Sequence, residues 1–315
     1  MVDRRIVIAG IVGVGLAFHP SAAVAPFNEG FAKVPGGRVW WRRVGSGSRI
    51  PLLTLHGGPG AGHDYLTPLE RLRDQRPVIL YDQLGCGKSD KPNDARLWCI
   101  ERFCDEIDAV RHQLDLKEVI LYGHSWGGWL ALEYLARRGR GAPVEALILA
   151  STSASMSQFV DGTQKLLRAM PGDIESRLKA LEAAGKTQSA EYNQLVAKFY
   201  DAHVIDMAHP PAYAGRSAHN VATSRTYPVM NGPNEFTVTG NLKHWDRAAI
   251  LRQINIPTLV LAGSLDEFSI DCSETLHRGI KGSKLSILPG ARHLGMVEQP
   301  NAYVKIMRRF LSPLA

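Results

Sequence analysis

Ser125 stands in Gly123-His124-Ser125-Trp126-Gly127, a G-x-S-x-G segment between an apolar run at 119–122 and a helical pattern over 126–138 that stops at Gly139. A serine on a sharp turn from strand to helix is a nucleophile held clear of its neighbours. Both flanking glycines are required, because a β-carbon at either place would collide with the adjoining strand or helix. The helix beginning at Trp126 aims backbone N–H groups and its positive dipole end at the hydroxyl. A hydroxyl is a weak nucleophile by itself, so this chemistry needs a base and an acid that orients the base.

Two later strand ends offer them. The run at 258–262 leads into Gly263-Ser264-Leu265-Asp266-Glu267, and the run at 285–288 leads into Pro289-Gly290-Ala291-Arg292-His293. The chain order Ser125, Asp266, His293 is that of a triad carried on successive strand ends. After the strand at 146–150 come Ser151-Thr152-Ser153, with no carboxylate to compete with Asp266. His124 adjoins the nucleophile and must point away from it, and His56 reads as a loop brace. The oxyanion of acyl transfer needs two backbone donors. Trp126 supplies one, and Gly58 of His56-Gly57-Gly58-Pro59-Gly60 is the candidate for the other, with glycine allowing close approach to the reacting carbonyl. Cys86 lies in a loop and reads as packing. His63-Asp64 stands without an HExxH pattern or a spaced carboxylate cluster, so neither a metal nor a cofactor is expected.

The elements that must position these residues are short β-type runs alternating with helical spacing. A hairpin is expected over 31–44, buried strands at 51–55, 77–81, 119–122, 146–150, 258–262 and 285–288, and helices at 100–114, 126–138 and near 301–311. Continuous apolar strands separated by helices predict a mostly parallel sheet covered on both faces. Between 151 and 240 the pattern turns helical and charged, as in 174–184 and 191–200, with no buried strand. This stretch reads as a helical cap inserted into the core; a second independent domain is the alternative.

The chain has 315 residues, is 45% hydrophobic and 21% charged, and carries a net charge of +7. That balance excludes disorder and fibrous repeats. The basic residues are scattered, so no nucleic-acid partner is expected. Four cysteines fit neither a disulfide scaffold nor a CxxC site, and free thiols are expected. Asp3-Arg4-Arg5, an apolar run over 6–18 and Ser21-Ala22-Ala23 read as an export signal over 1–23, on a pattern loosely like the twin-arginine one. The apolar run is too short to span a bilayer, so no stable membrane insertion is expected and the mature chain would be periplasmic or secreted. An uncleaved anchor is the alternative.

His56-Gly57-Gly58-Pro59-Gly60, Asp82-Gln83-Leu84-Gly85-Cys86-Gly87-Lys88-Ser89 and Gly123-His124-Ser125-Trp126-Gly127-Gly128 together resemble the proline iminopeptidase family, with its aminopeptidase and amino-acid amidase relatives. Met230-Asn231-Gly232-Pro233-Asn234-Glu235-Phe236 and the pair Asp266-Glu267 are similar to the same group. The resemblance runs over 31–311 and implies an α/β-hydrolase fold: core at 24–151, helical cap at 152–240, core again at 241–315. It further implies a metal-free serine hydrolase acting on a small peptide or amino-acid amide, with Glu235 and Glu267 binding the substrate's ammonium. On residue types alone, Glu267 would be a solvated neighbour of Asp266 and Glu235 a surface residue. An esterase or lactonase on the same machinery is the rival activity, and a non-catalytic binding module is the rival of another class. Asp-nucleophile chemistry is disfavoured because Ser125 occupies the turn. The leader departs from relatives that look cytosolic.

Overall fold

The computed structural model describes residues 27–314. The leader expected at 1–23 lies outside the described residues. Strands β1 (Phe27–Val34) and β2 (Gly37–Val44) form the opening hairpin, which begins earlier than the sequence pattern indicated. Asn28 and Glu29 are exposed on this edge strand, so they carry no apolar alternation.

β3 (Leu52–Leu55), β4 (Val78–Tyr81), α1 (Ile100–Gln113), β5 (Val119–His124), α2 (Trp126–Arg138) and β6 (Val144–Ala150) follow. Then come the helices α3 (Met156–Ala169), α4 (Ile174–Ala183), α5 (Ala190–His203), α6 (Ala212–Thr223) and α7 (Thr226–Met230), with no named strand among them. The chain ends with β7 (Thr258–Gly263), α8 (Ile270–Gly279), β8 (Lys284–Leu288), α9 (Gly295–Glu298) and α10 (Pro300–Leu311). The eight strands form one sheet in the order β1-β2-β4-β3-β5-β6-β7-β8. Only the β1–β2 and β2–β4 pairings are antiparallel.

Why the inner strands read as unbroken apolar runs is now plain: every residue of β3, β4, β5 and β7 is buried. Successive side chains point to opposite faces of a strand. Leu53, Ile79 and Leu121 therefore join one core with Phe103 and Ile107 of α1, Trp129 of α2 and Leu276 of α8. Leu52, Val78 and Ile120 join the other with Leu66, Leu69 and with Met307 and Phe310 of α10. The sheet is thus covered on both faces, as a parallel sheet requires.

The helices between β6 and β7 have a small core of their own, built on Leu178, Tyr192, Leu195, Phe199 and Phe236. They are also tied to the main body, because Phe159 of α3 stacks on Phe268 with ring centroids 4.2 Å apart. The four cysteines are unpaired, Cys99 preceding α1 and Cys104 lying within it. Among the described residues no helix is long and apolar enough to cross a membrane.

Candidate active site

Ser125 is the hinge between β5 and α2, with φ 56° and ψ −125°. A non-glycine residue in that region is strained and persists only where its surroundings impose it. They do so here. The Ser125 N–H donates to the Ala150 carbonyl at 3.0 Å, and its own carbonyl accepts from Thr152 Oγ1 at 2.9 Å. A β-carbon on Gly123 would sit 2.3 Å from the Gly127 carbonyl oxygen, and one on Gly127 would sit 2.1 Å from that of Leu55. The turn can be built only with glycine on both sides of the serine.

The loops after β7 and β8 bring Asp266 and His293 together, with Nδ1 2.9 Å from Asp266 Oδ1. That oxygen also accepts the Phe268 N–H at 2.9 Å, which fixes the carboxylate plane. The imidazole's other edge faces Glu267, whose Oε1 lies 3.4 Å from Nε2. No hydrogen bond joins the imidazole to Ser125 among the described residues, although its ring lies 4.5 Å from that of the serine's neighbour His124.

His124 turns away from the hydroxyl side and does a different job. Its Nε2 is 3.1 Å from the His293 carbonyl, which can only accept, so the ring proton sits there. Nδ1 then accepts from the Tyr65 hydroxyl at 2.9 Å, and that hydroxyl accepts the Gly57 N–H at 2.6 Å. Burial, and then the neighbouring His293, push the His124 pKa well below its ordinary value, so the ring stays neutral and Nδ1 remains an acceptor. One ordered chain of bonds therefore ties the glycine loop to the loop that carries His293.

That chain also leaves the N–H groups of neighbouring glycines in different states. The Gly57 N–H is engaged, whereas those of Gly58 and Trp126 have no hydrogen-bond partner among the described residues. The reason for glycine at 58 differs from the expected one. Gly58 has φ +109°, and a β-carbon there would meet the Gly60 nitrogen at 2.5 Å, so its own turn demands it. The glycine pressed against the serine is Gly57, whose β-carbon would lie 3.1 Å from Ser125 Cβ.

Glu235 and Glu267 converge from different elements. Glu267, only 2% exposed, stands in the loop after β7, and its Oε2 is buried without a hydrogen-bond partner. Glu235 is half-buried in the loop after α7, where Oε1 accepts from the Tyr227 hydroxyl at 2.5 Å. Asn231 Nδ2 donates to that same phenol at 3.0 Å. Burial raises the pKa of both carboxyls. For Glu267 the charges of Glu235 and Asp266 push it further, to well above the ordinary range. Tyr200 of α5 lies close enough to feel both glutamates. The solvated, unrelated glutamates that residue types alone would suggest are not what this chain builds.

The family model for the α/β hydrolase fold matches residues 50–300. A proline iminopeptidase from Saccharolobus solfataricus is 34% identical over 288 residues, covering 90% of this chain and 92% of that one. The chain belongs to the proline iminopeptidase family of α/β-hydrolases. Solved structures agree with this. The Mycobacterium smegmatis proline iminopeptidase superposes with a TM-score of 0.83 at 29% identity, covering 91% of this chain and 98% of that chain. The structure of VinJ does so with a TM-score of 0.86 at 32% identity, covering 91% and 99%. Like its family, the chain is a serine hydrolase.

A second His–Asp pair in this family member escaped the sequence reading. His63 Nδ1 lies 2.7 Å from Asp82 Oδ1, under the Trp40 ring, while the sequence neighbour Asp64 instead pairs with Arg216 at 2.6 Å. The only available signal was that Asp82 stands just past a strand end, as Asp266 does three residues beyond another. Potential ligand atoms of His56, Asp82 and Cys86 also lie within 4.8 Å of one another, a cluster not expected from their spacing. They are engaged in the fold. His56 Nε2 accepts the Gln83 N–H at 2.9 Å, and the Asp82 oxygens accept from the His63 and Lys88 N–H groups at 2.7 and 2.8 Å. Burial pushes His56 down to about 4 and the Cys86 thiol well up, which suits a brace and a packed thiol.

Proposed function

We propose that this enzyme cleaves an amide or peptide bond next to a free N-terminal amino group, as an aminopeptidase or amino-acid amidase. One observation carries the reading: Glu267 sits buried at the Nε2 edge of His293, with Glu235 close enough to raise its pKa. An ester or N-blocked amide has no use for negative charge there. An ammonium stripped of its water does, since an unpaired buried charge costs on the order of several kcal/mol. Two carboxylates supply acceptors for its three N–H donors and fix the distance from the amine to the bond that is cut. The names of the relatives make an N-terminal proline the first residue to test.

Ser125 Oγ attacks the carbonyl carbon and passes its proton to His293 Nε2, while Asp266 holds the Nδ1–H. The substrate ammonium draws Glu267 to itself and frees Nε2 for the serine, consistent with catalytic hydrogen bonds that tighten only when substrate is present. The N–H groups of Gly58 and Trp126 take the oxyanion. As the tetrahedral adduct collapses, the C–N bond breaks, His293 returns the proton to the leaving amine and the acyl group stays on Ser125. Water then attacks the ester by the same steps and releases the amino acid. No cofactor takes part in these steps.

Aminoacyl-arylamides, beginning with proline, compared with and without N-acetylation, test the specificity. Free amines should be strongly preferred, and equal rates on both would leave only a generic serine hydrolase of the same fold without ammonium recognition. Residues 1–23 would act as an export signal removed after Ala23, a reading supported by the arginine pair, the apolar run and the small residues before the cut. N-terminal sequencing of protein from the envelope fraction tests this, and intact Met1 in the cytosol would overturn it.

A further inference from the structure

The last turn of a helix leaves backbone carbonyls without partners inside the helix. At the end of α5 two of these carbonyls are taken up by the loop that carries His293. The His203 carbonyl accepts the His293 N–H at 3.0 Å, and the Val204 carbonyl accepts the Leu294 N–H at 3.0 Å. The His203 side chain reaches the other loop: Nδ1 is 3.0 Å from the Leu265 carbonyl, one residue before Asp266. A carbonyl only accepts, so the His203 proton lies on Nδ1 and is donated to it. One residue of the cap thus bonds both loops whose meeting closes the 2.9 Å contact between Asp266 and His293.

The helix delivering His203 is itself anchored. Phe199, one turn earlier, packs on the His203 ring at 5.0 Å and on Phe236, the neighbour of Glu235, at 5.4 Å. Tyr192, Leu195 and Phe199 hold α5 in the small core of the cap. Asp266 and His293 stand on loops after the paired strands β7 and β8. Among the described residues the backbones of these loops bond each other only before the two residues, where the Leu265 N–H donates to the Ala291 carbonyl at 2.9 Å. His203 adds a tie at His293 itself and at the residue before Asp266.

We propose that His203 is a positioning residue through which the cap holds the acid and base loops in register. Turnover therefore depends on the cap even for substrates that make no use of Glu235. The inference rests on the triad reading of Ser125, Asp266 and His293, which fluorophosphonate labelling of wild-type protein at Ser125 checks separately.

The test uses His203→Ala, His203→Gln and His203→Asn. Asn places an amide N–H where Nδ1 was and can still reach the Leu265 carbonyl, whereas Gln places it one bond further out and Ala has none. Both an aminoacyl-arylamide and a p-nitrophenyl ester are assayed, with thermal unfolding of each variant. The Ala and Gln variants should lose about tenfold in kcat on both substrates, with KM within about twofold, and Asn should recover most of it. If Ala failed to fold, the Gln and Asn variants, alike in polarity, would still decide the matter. Equal kcat in all three variants, a loss shared fully by Asn, or a loss confined to amine-bearing substrates would each overturn the proposal.

Discussion

Glu235→Gln separates charge from shape at the proposed ammonium site. Glutamine keeps an oxygen where Oε1 now accepts the Tyr227 hydroxyl at 2.5 Å, so the Asn231–Tyr227 arrangement behind it should persist. What is lost is one of two negative charges. Truncating one partner of a buried charge pair costs roughly 2–5 kcal/mol. At about 1.36 kcal/mol per factor of ten, the lower bound is about a 30-fold loss of kcat/KM on free-amine substrates. Neutral p-nitrophenyl esters should be spared. The pH profile adds a signed expectation. Ammonium binding needs ionised carboxylates, and burial raises both pKa values, so wild-type kcat/KM on amides should fall on the acid side sooner than ordinary carboxylates would dictate. Removing Glu235 also removes its push on Glu267, so the acid limb of the variant should move to lower pH although its plateau is lower. Steady-state kinetics on a prolyl-arylamide, its N-acetyl form and an ester across pH measure all of this. Equal losses on amine and ester, or no loss on either, would refute the ammonium site.

Ser125→Ala should cost on the order of a million-fold in kcat with the fold retained, and Asp266→Asn about 10⁴-fold because the wrong imidazole tautomer is then held. Turnover well above background by purified Ser125→Ala would reject the triad. Gly127→Ala forces a β-carbon to within 2.1 Å of a backbone oxygen, so overpacking of about 1–3 kcal/mol or more should lower the melting temperature; an unchanged value would contradict the elbow geometry. Glu267→Gln should behave oppositely in stability and activity. Because its folded pKa is raised, the favourable contribution of Glu267 is present below the ordinary carboxyl range and is lost as pH rises through the raised value. The variant should therefore gain thermal stability over wild type as pH climbs, while losing activity on amines, and calorimetry across pH reads the sign.

What the sequence determined by itself was local. Continuous apolar runs announced the inner strands because those strands are buried on both faces, and Gly123 and Gly127 announced the turn because no other residue fits it. The chain order of Ser125, Asp266 and His293 followed from strand ends, which periodicity locates well. The exposed start of β1 was missed because an edge strand has little apolar signal. Tertiary structure alone decided which groups share space. His63 was adjacent to Asp64 in the chain and bonds Asp82, because a strand end, not a sequence neighbour, faces its ring. Gly57 lost its N–H to Tyr65, leaving that of Gly58, through a hydroxyl that reaches across from a separate turn. Glu267 at the Nε2 edge of His293 depends on β7 and β8 lying side by side, and His203 spanning both loops depends on α5 folding back over strand ends far away in sequence. Side-chain proximity of that kind has no period and no spacing, so only the packed molecule contains it.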